Sequence, residues 1–310
     1  MLPWRRGFCL SGDHGVSRRR RRERTRRRLA LLALAVSLAL PAGTARAGSA
    51  TLPARTTIEA DIVGAWNPNG LLAVVGASRR WTLEGDPGSP LSPYLQAGLS
   101  LGSSPAYARG SAYAEWMPHA ALQLRAQYTL YRYYGGDSVA LLSFPSGDSL
   151  FGDEEVSDLE GEAEAAWGQR LLLNPVLRVK FGPLLLRNST DVAWFRFGGR
   201  GPYFLEWEYD TLLKDGDWLV ADSAQVLGKL WQGSGDAALY GGPFFEIAHA
   251  GAAGITQERA GLMMSWTGPG QLGVLRRPRT FLQAGAHLRD PNREGELFVV
   301  GGVGFTFRGP

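Results

Sequence analysis

Leu297-Phe298-Val299-Val300-Gly301-Gly302-Val303-Gly304-Phe305-Thr306-Phe307 is the stretch that decides the fold. Side chains along an extended chain alternate between two faces with period two. Leu297, Val299, Val303, Phe305 and Phe307 therefore share one face, and Phe298, Val300, Gly302, Gly304 and Thr306 share the other. Working back to Thr57, the same device recurs: about ten residues of apolar/other alternation, a turn, then alternation again, the segment length of a membrane-crossing strand. No stretch after residue 48 sustains the 3.6-residue period of an amphipathic helix.

Ahead of these segments lies an export-type leader. Residues 1–28 are Arg-rich, Leu29 to Leu40 form a twelve-residue apolar run, and Ala45-Arg46-Ala47 puts small residues where a signal peptidase reads them. Twelve residues are too few to span a bilayer as a helix, so the expectation is a signal peptide over 1–47, cleaved after Ala47. The leader also carries the basic excess. The whole chain has 33 basic and 29 acidic residues, but 12 arginines and only Asp13 and Glu23 belong to 1–47. The remaining 263 residues hold 21 basic and 27 acidic groups, a net charge of −6. A nucleic-acid partner, which needs a basic patch on the folded domain, is not expected. The single cysteine, Cys9, leaves with the leader, and with it any thiolate chemistry, disulfide or cysteine-based metal site.

Strands are expected at 56–66, 71–83, 93–102, 106–117, 121–134, 159–170, 175–187, 190–198, 203–213, 217–230, 237–249, 256–266, 279–288 and 296–307. Turn signals separate them, among them Asn67-Pro68-Asn69-Gly70, Asn174-Pro175, Gly198-Gly199-Arg200-Gly201-Pro202 and Thr267-Gly268-Pro269-Gly270. The count is fourteen, or twelve if 175–198 and 203–230 divide differently, and an even number suits a bacterial barrel. The fold class is all-β: one antiparallel transmembrane β-barrel over 56–310, with 48–55 as a short periplasmic lead. With a periplasmic N-terminus, the longest connection, 135–158, falls outside the cell. It carries Asp137, Asp148, Asp153, Glu154, Glu155 and Asp158 without a lysine or arginine, which suits either a divalent-cation site or a solvated acidic loop.

Alternation sorts the faces. In 121–133 Leu122, Leu124, Ala126, Tyr128 and Leu130 point outward, and Gln123, Arg125, Gln127, Thr129 and Tyr131 inward. In 203–211 the same rule sends Tyr203, Leu205, Trp207 and Tyr209 outward and Phe204, Glu206, Glu208 and Asp210 inward. Trp66, Trp81, Trp116, Trp167 and Trp266 stand at strand ends on the apolar side, as an interfacial girdle requires. With its alternating, aromatic-ended last strand the chain resembles the outer-membrane β-barrels of Gram-negative bacteria, of the porin-like or channel type. It departs from them in carrying Arg308-Gly309-Pro310 after the final aromatic. The resemblance implies an outer-membrane location, contact with outer-membrane lipid and lipopolysaccharide, insertion by the barrel-assembly machinery, and no cofactor.

The expected lumen collects charges of both signs: Glu59, Asp61, Arg109, Glu115, Arg125, Glu162, Glu164, Arg178, Lys180, Glu206, Glu208, Asp210, Arg259 and His287. Charge rings around water conduct and select ions or small polar solutes, whereas opposite charges paired across a narrow lumen close it. The reading is a passive pore whose selectivity comes from Glu206, Glu208, Asp210, Arg125 and Arg178, with a non-conducting structural or surface-binding barrel as the alternative. Glu206, Glu208 and Asp210 form a cation-selective constriction, a divalent site, or carboxylates solvated in a wet lumen. A lipid-modifying hydrolase is a weaker alternative, because none of His119, His249 and His287 stands in a His-x-Ser arrangement; the expectation is that the protein is not an enzyme.

Overall fold

The structure, a computed structural model, describes residues 54–86, 89, 91–135, 140–159, 161–235, 237–272 and 275–308. The expected signal segment 1–47 lies outside the described residues. Alternation from Ala54 onward produces β1 (Ala54–Trp66), β2 (Gly70–Thr82), β3 (Tyr94–Ser103), β4 (Tyr107–His119) and β5 (Leu122–Tyr133). Next come the two-residue β6 (Ser143–Phe144) and a short helix, α1 (Asp153–Asp158). The chain then forms β7 (Trp167–Phe181), β8 (Leu184–Phe197), β9 (Tyr203–Glu206), β10 (Thr211–Lys214) and β11 (Trp218–Gln232). It ends with β12 (Ala238–Ala250), β13 (Ile255–Thr267), β14 (Gln271–Leu272), β15 (Leu275–Arg289) and β16 (Leu297–Arg308).

Twelve of these close a barrel. The antiparallel order is β1-β2-β3-β4-β5-β7-β8-β11-β12-β13-β15-β16, and β16 returns to pair with β1 from Thr57↔Arg308 to Trp66↔Val299. Closure leaves no free edge, which a bilayer demands because it offers no water to unpaired backbone groups. Two-residue turns, Ala120-Ala121 and Gly182-Pro183, join strands at one end; residues 134–166 and 198–217 connect them at the other. Long connections belong to the extracellular end of such barrels, so we call that end outer.

The wall has twelve strands where the turn signals divide it into fourteen. Asn174-Pro175 is not a turn but lies inside β7. Proline removes a donor from the ladder, and the Asn174 amide substitutes by donating to the Thr190 carbonyl at 3.1 Å. The chain reverses instead at Gly182-Pro183, where Gly182 takes a φ of 55° that a side chain would resist. The second departure is 203–213. It leaves the wall as the hairpin β9–β10, which with β6 makes a separate three-stranded sheet in the order β10-β9-β6. Both faces of that hairpin are buried: Phe204 and Leu205, Leu212 and Leu213 alike.

Those residues pack with Leu141, Leu142, Phe144 and Phe151 against the inward side chains Tyr107, Tyr131 and Tyr133 of β4–β5 and Phe195 and Phe197 of β8. The rings of Phe197 and Phe204 stack with centroids 5.0 Å apart. An apolar core therefore sits inside the outer end of the barrel. Burying a leucine or phenylalanine contributes about 2 kcal/mol, so this insert is a built part of the fold. The acidic connection around 135–158 is thus only partly external, since its segment Ala140–Phe144 is drawn inward while α1 carries Asp153, Glu154 and Glu155.

Candidate functional site

The outward face of the wall strands is apolar and exposed. Ile62, Leu99, Leu101, Leu130, Leu173, Leu262 and Leu297 all face outward and are exposed. Trp66, Trp167 and Trp218 ring the outer end of this belt; Trp81, Trp116, Trp231 and Trp266 ring the inner end. A closed barrel with an apolar belt between two aromatic girdles is built for lipid. The chain is a transmembrane β-barrel. No protein-family model matches it, and no curated protein does. Among solved structures it is similar to the beta domain of the Bordetella autotransporter Brka, with 12% identity and a TM-score of 0.42 over 82% of this chain and 98% of that one. It is similar to an outer membrane channel from Pseudomonas putida F1, at 12% identity and a TM-score of 0.37 over 83% and 96%. The translocator domain of the autotransporter NalP from Neisseria meningitidis follows at 14% identity and a TM-score of 0.35 over 94% and 98%.

Inside the barrel, the turn between β9 and β10 carries the chemistry. Glu208 at its tip is met by four donors from the wall. Tyr107 Oη at 3.2 Å and Tyr131 Oη at 3.0 Å donate to Oε1, as does Arg109, while Arg170 Nη1 donates to Oε2 at 2.7 Å. Burial alone would raise the Glu208 pKa, but Arg170 and Arg109 outweigh it and hold the carboxyl down at about 2. Glu206 is buried in the same turn without an arginine of its own. Burial, followed by repulsion from Glu208, raises it to about 8, although its carboxylate accepts the Tyr209 N–H at 2.8 Å. The two arginines thus favour the ionised form of one carboxyl, and burial favours the protonated form of its neighbour.

Further ties hold the insert. Tyr209 Oη donates to Asp191 Oδ2 of β8 at 2.7 Å, and Asp191 lies six residues below Phe197, so the turn reaches well into the barrel. Arg293, in the last outer connection, pairs with both Asp210 of the turn and Asp153 of α1, the latter at 3.1 Å. Beside the turn, a cavity of about 500 Å³ remains. Ser189, Asp191, Ser223, Glu246 and Arg259 line it with Trp207 and Tyr209 of the turn. Glu246 accepts from Ser223 Oγ at 3.0 Å and from Arg259 Nε at 2.5 Å.

The expected site residues thus divide. Arg109, Glu115, Arg125, Arg178, Lys180, Arg259 and His287 lie on wall strands. Glu162, Glu164, Glu206, Glu208 and Asp210 belong to the inserted connections; the strands 159–170 and 203–213 that were to carry them into the wall do not exist as such. Glu164 bridges to Leu141 and accepts the Arg200 N–H at 3.1 Å. Sequence reasoning missed Arg170, Asp191, Glu246 and Arg293. Alternation within a correctly bounded strand would have turned the first three inward; Arg293 sits in a turn, where no period exists to read.

The histidines are dispersed. His287 Nε2 lies 3.1 Å from the Asn67 carbonyl oxygen within the lumen, and His119 Nδ1 accepts the Ala121 N–H at the inner end. His249 faces outward from β12, its Nδ1 2.9 Å from Thr256 Oγ1. On the same outward face, Asn188 and Thr190 of β8 donate to the carboxylate of Asp222 on β11, at 2.9 Å to Oδ1 and at 3.0 and 2.6 Å to Oδ2. Asp222 is therefore a lipid-side carboxylate.

Proposed function

We propose that the barrel is a passive passage for ions or small polar solutes, narrowed at its outer end by the tethered β9–β10 turn. The observation that carries this reading is the cavity beside the turn. Its volume of about 500 Å³ falls in the range of roughly 300–1,000 Å³ typical of small-molecule sites. Its lining includes Asp191, Ser223, Glu246 and Arg259, groups that would cost free energy against a dry, filled interior. Side chains of this kind are at home beside water. On this reading the protein performs no catalysis and needs no cofactor. Lipid and lipopolysaccharide contact the belt, and the barrel-assembly machinery inserts it.

A second reading is a plugged barrel that does not conduct, and the apolar core between insert and wall favours it. Single-channel recording in a planar bilayer separates the two. Discrete steps from the folded protein, enlarged when Tyr203–Lys214 is replaced by a short Gly-Ser link, support the narrowed passage. Silence from the intact protein, with steps only after that deletion, assigns the plug.

A further inference from the structure

The inner half of the lumen has a charge pattern of its own. Arg80 of β2, Arg125 of β5, Arg178 and Lys180 of β7 and Arg187 of β8 all stand on the inward-facing parity of their strands. β2 to β8 are successive wall strands apart from the inserted β6, so these cations form one arc. Arg80 lies over the Tyr94 ring at 3.9 Å and donates through Nε to Gln96 at 2.9 Å. Arg125 lies over the Tyr113 ring at 3.8 Å. Gly98 makes room for that ring, since a Cβ there would come within 2.6 Å of it. Arg187 reaches Gln225 at 3.4 Å.

Within the arc the Glu115 carboxylate takes the Tyr94 hydroxyl and stands 3.9 Å from Arg125. Among the described residues Arg80, Arg178, Lys180 and Arg187 form no ion pair. Glu59 and Asp61 of β1 are taken by Arg279, at 3.4 and 2.8 Å. Asp191 and Glu246, the carboxylates nearest Arg187 on the outer side, are bound to Asn174 and Tyr209 and to Arg259 and Ser223. Arg178 and Arg187 are direct cross-strand partners. Like charges placed so repel, and the arrangement is tolerable when an anion sits between them. Guanidinium groups present forked donors that match the oxygens of phosphate and carboxylate.

We propose that this arc binds a small multivalent oxyanion entering from the periplasmic mouth. The proposal deepens the passage reading by naming an anionic solute class, yet binding does not require that the outer end conduct.

The test is titration calorimetry with pyrophosphate on the folded protein in a non-ionic detergent at low salt. Expected is saturable binding that weakens as salt rises, because exposed charges are screened. Arg178→Gln with Arg187→Gln should weaken it about tenfold or more, whereas Arg79→Gln, at an outward position over Trp81, should leave it unchanged. Arg187→Glu converts the repelling pair into an opposite one, so it should keep the barrel folded and heat-modifiable while abolishing binding. No saturable binding by the folded protein, or equal binding by Arg187→Glu, overturns the proposal. Binding without conductance removes the passage and keeps the site; conductance without binding does the reverse.

Discussion

Arg170 Nη1 and Glu208 Oε2 lie 2.7 Å apart, one on the wall strand β7 and the other at the tip of the inserted turn. With Arg109 on the far side of the carboxylate, this pair pins the insert to the wall. Removing one member of a buried pair leaves the other charge stranded, at a cost of about 3–5 kcal/mol. Glu208→Gln should therefore free the turn while the twelve-strand wall persists. Protease cleavage within 203–214, together with an unchanged heat-modifiable gel shift, checks this; resistance equal to the parent protein's would show that the apolar core alone holds the insert.

The two carboxyls of the turn predict opposite pH responses. Glu208, depressed to about 2, contributes stability that is present above its ordinary value of 4.5 and is lost as pH falls toward 2. Glu206, raised to about 8, contributes stability that is fully present below 4.5 and is lost as pH rises through 8. Hydrogen exchange at the Leu205 and Leu212 amides should accelerate, beyond its intrinsic pH dependence, at both extremes. Glu206→Gln should flatten the alkaline limb and leave the acidic one.

Packing of the insert makes a separate prediction. Phe204 stacks on Phe197 and is almost fully buried. Phe204→Ala should loosen the insert by about 3–5 kcal/mol, read as faster local exchange at β9 and β10. Wall amides such as that of Ala60 should keep their protection, because Ala60 is held in the ladders that β1 forms with β16 and with β2.

Asp222 offers a test on the lipid side. Its carboxylate depends on Asn188 and Thr190. Asn188→Ala strips two of its three hydrogen bonds and should cost about 1–3 kcal/mol, lowering the temperature at which the barrel loses its compact gel mobility. Asn188→Asp should be worse, since it sets two carboxylates side by side in the apolar belt.

Glu246 and Arg259 line the outer cavity. Glu246→Gln removes a negative charge there, and in the passage reading it should shift the reversal potential under a salt gradient toward anions. No shift would place the current elsewhere in the barrel.

Much of the architecture is written in the alternation. The apolar face of 297–307, the outward leucines and the terminal tryptophans all follow from period two, because a wall strand always sees lipid on one side and lumen on the other. The lumenal positions of Arg109, Arg125, Arg178, Arg259 and His287 were legible for the same reason. Residues 203–213 obey the same period and yet do not belong to the wall. A strand folded inside the barrel alternates as a wall strand does, so local pattern cannot tell lipid from an apolar lumenal neighbour. The partners of Glu208 lie 99 and 38 residues away in the chain. Only closure of the barrel brings Arg109 and Arg170 to that carboxylate, where their charges favour the ionised form of Glu208, while burial and the neighbouring Glu208 push Glu206 toward its protonated form.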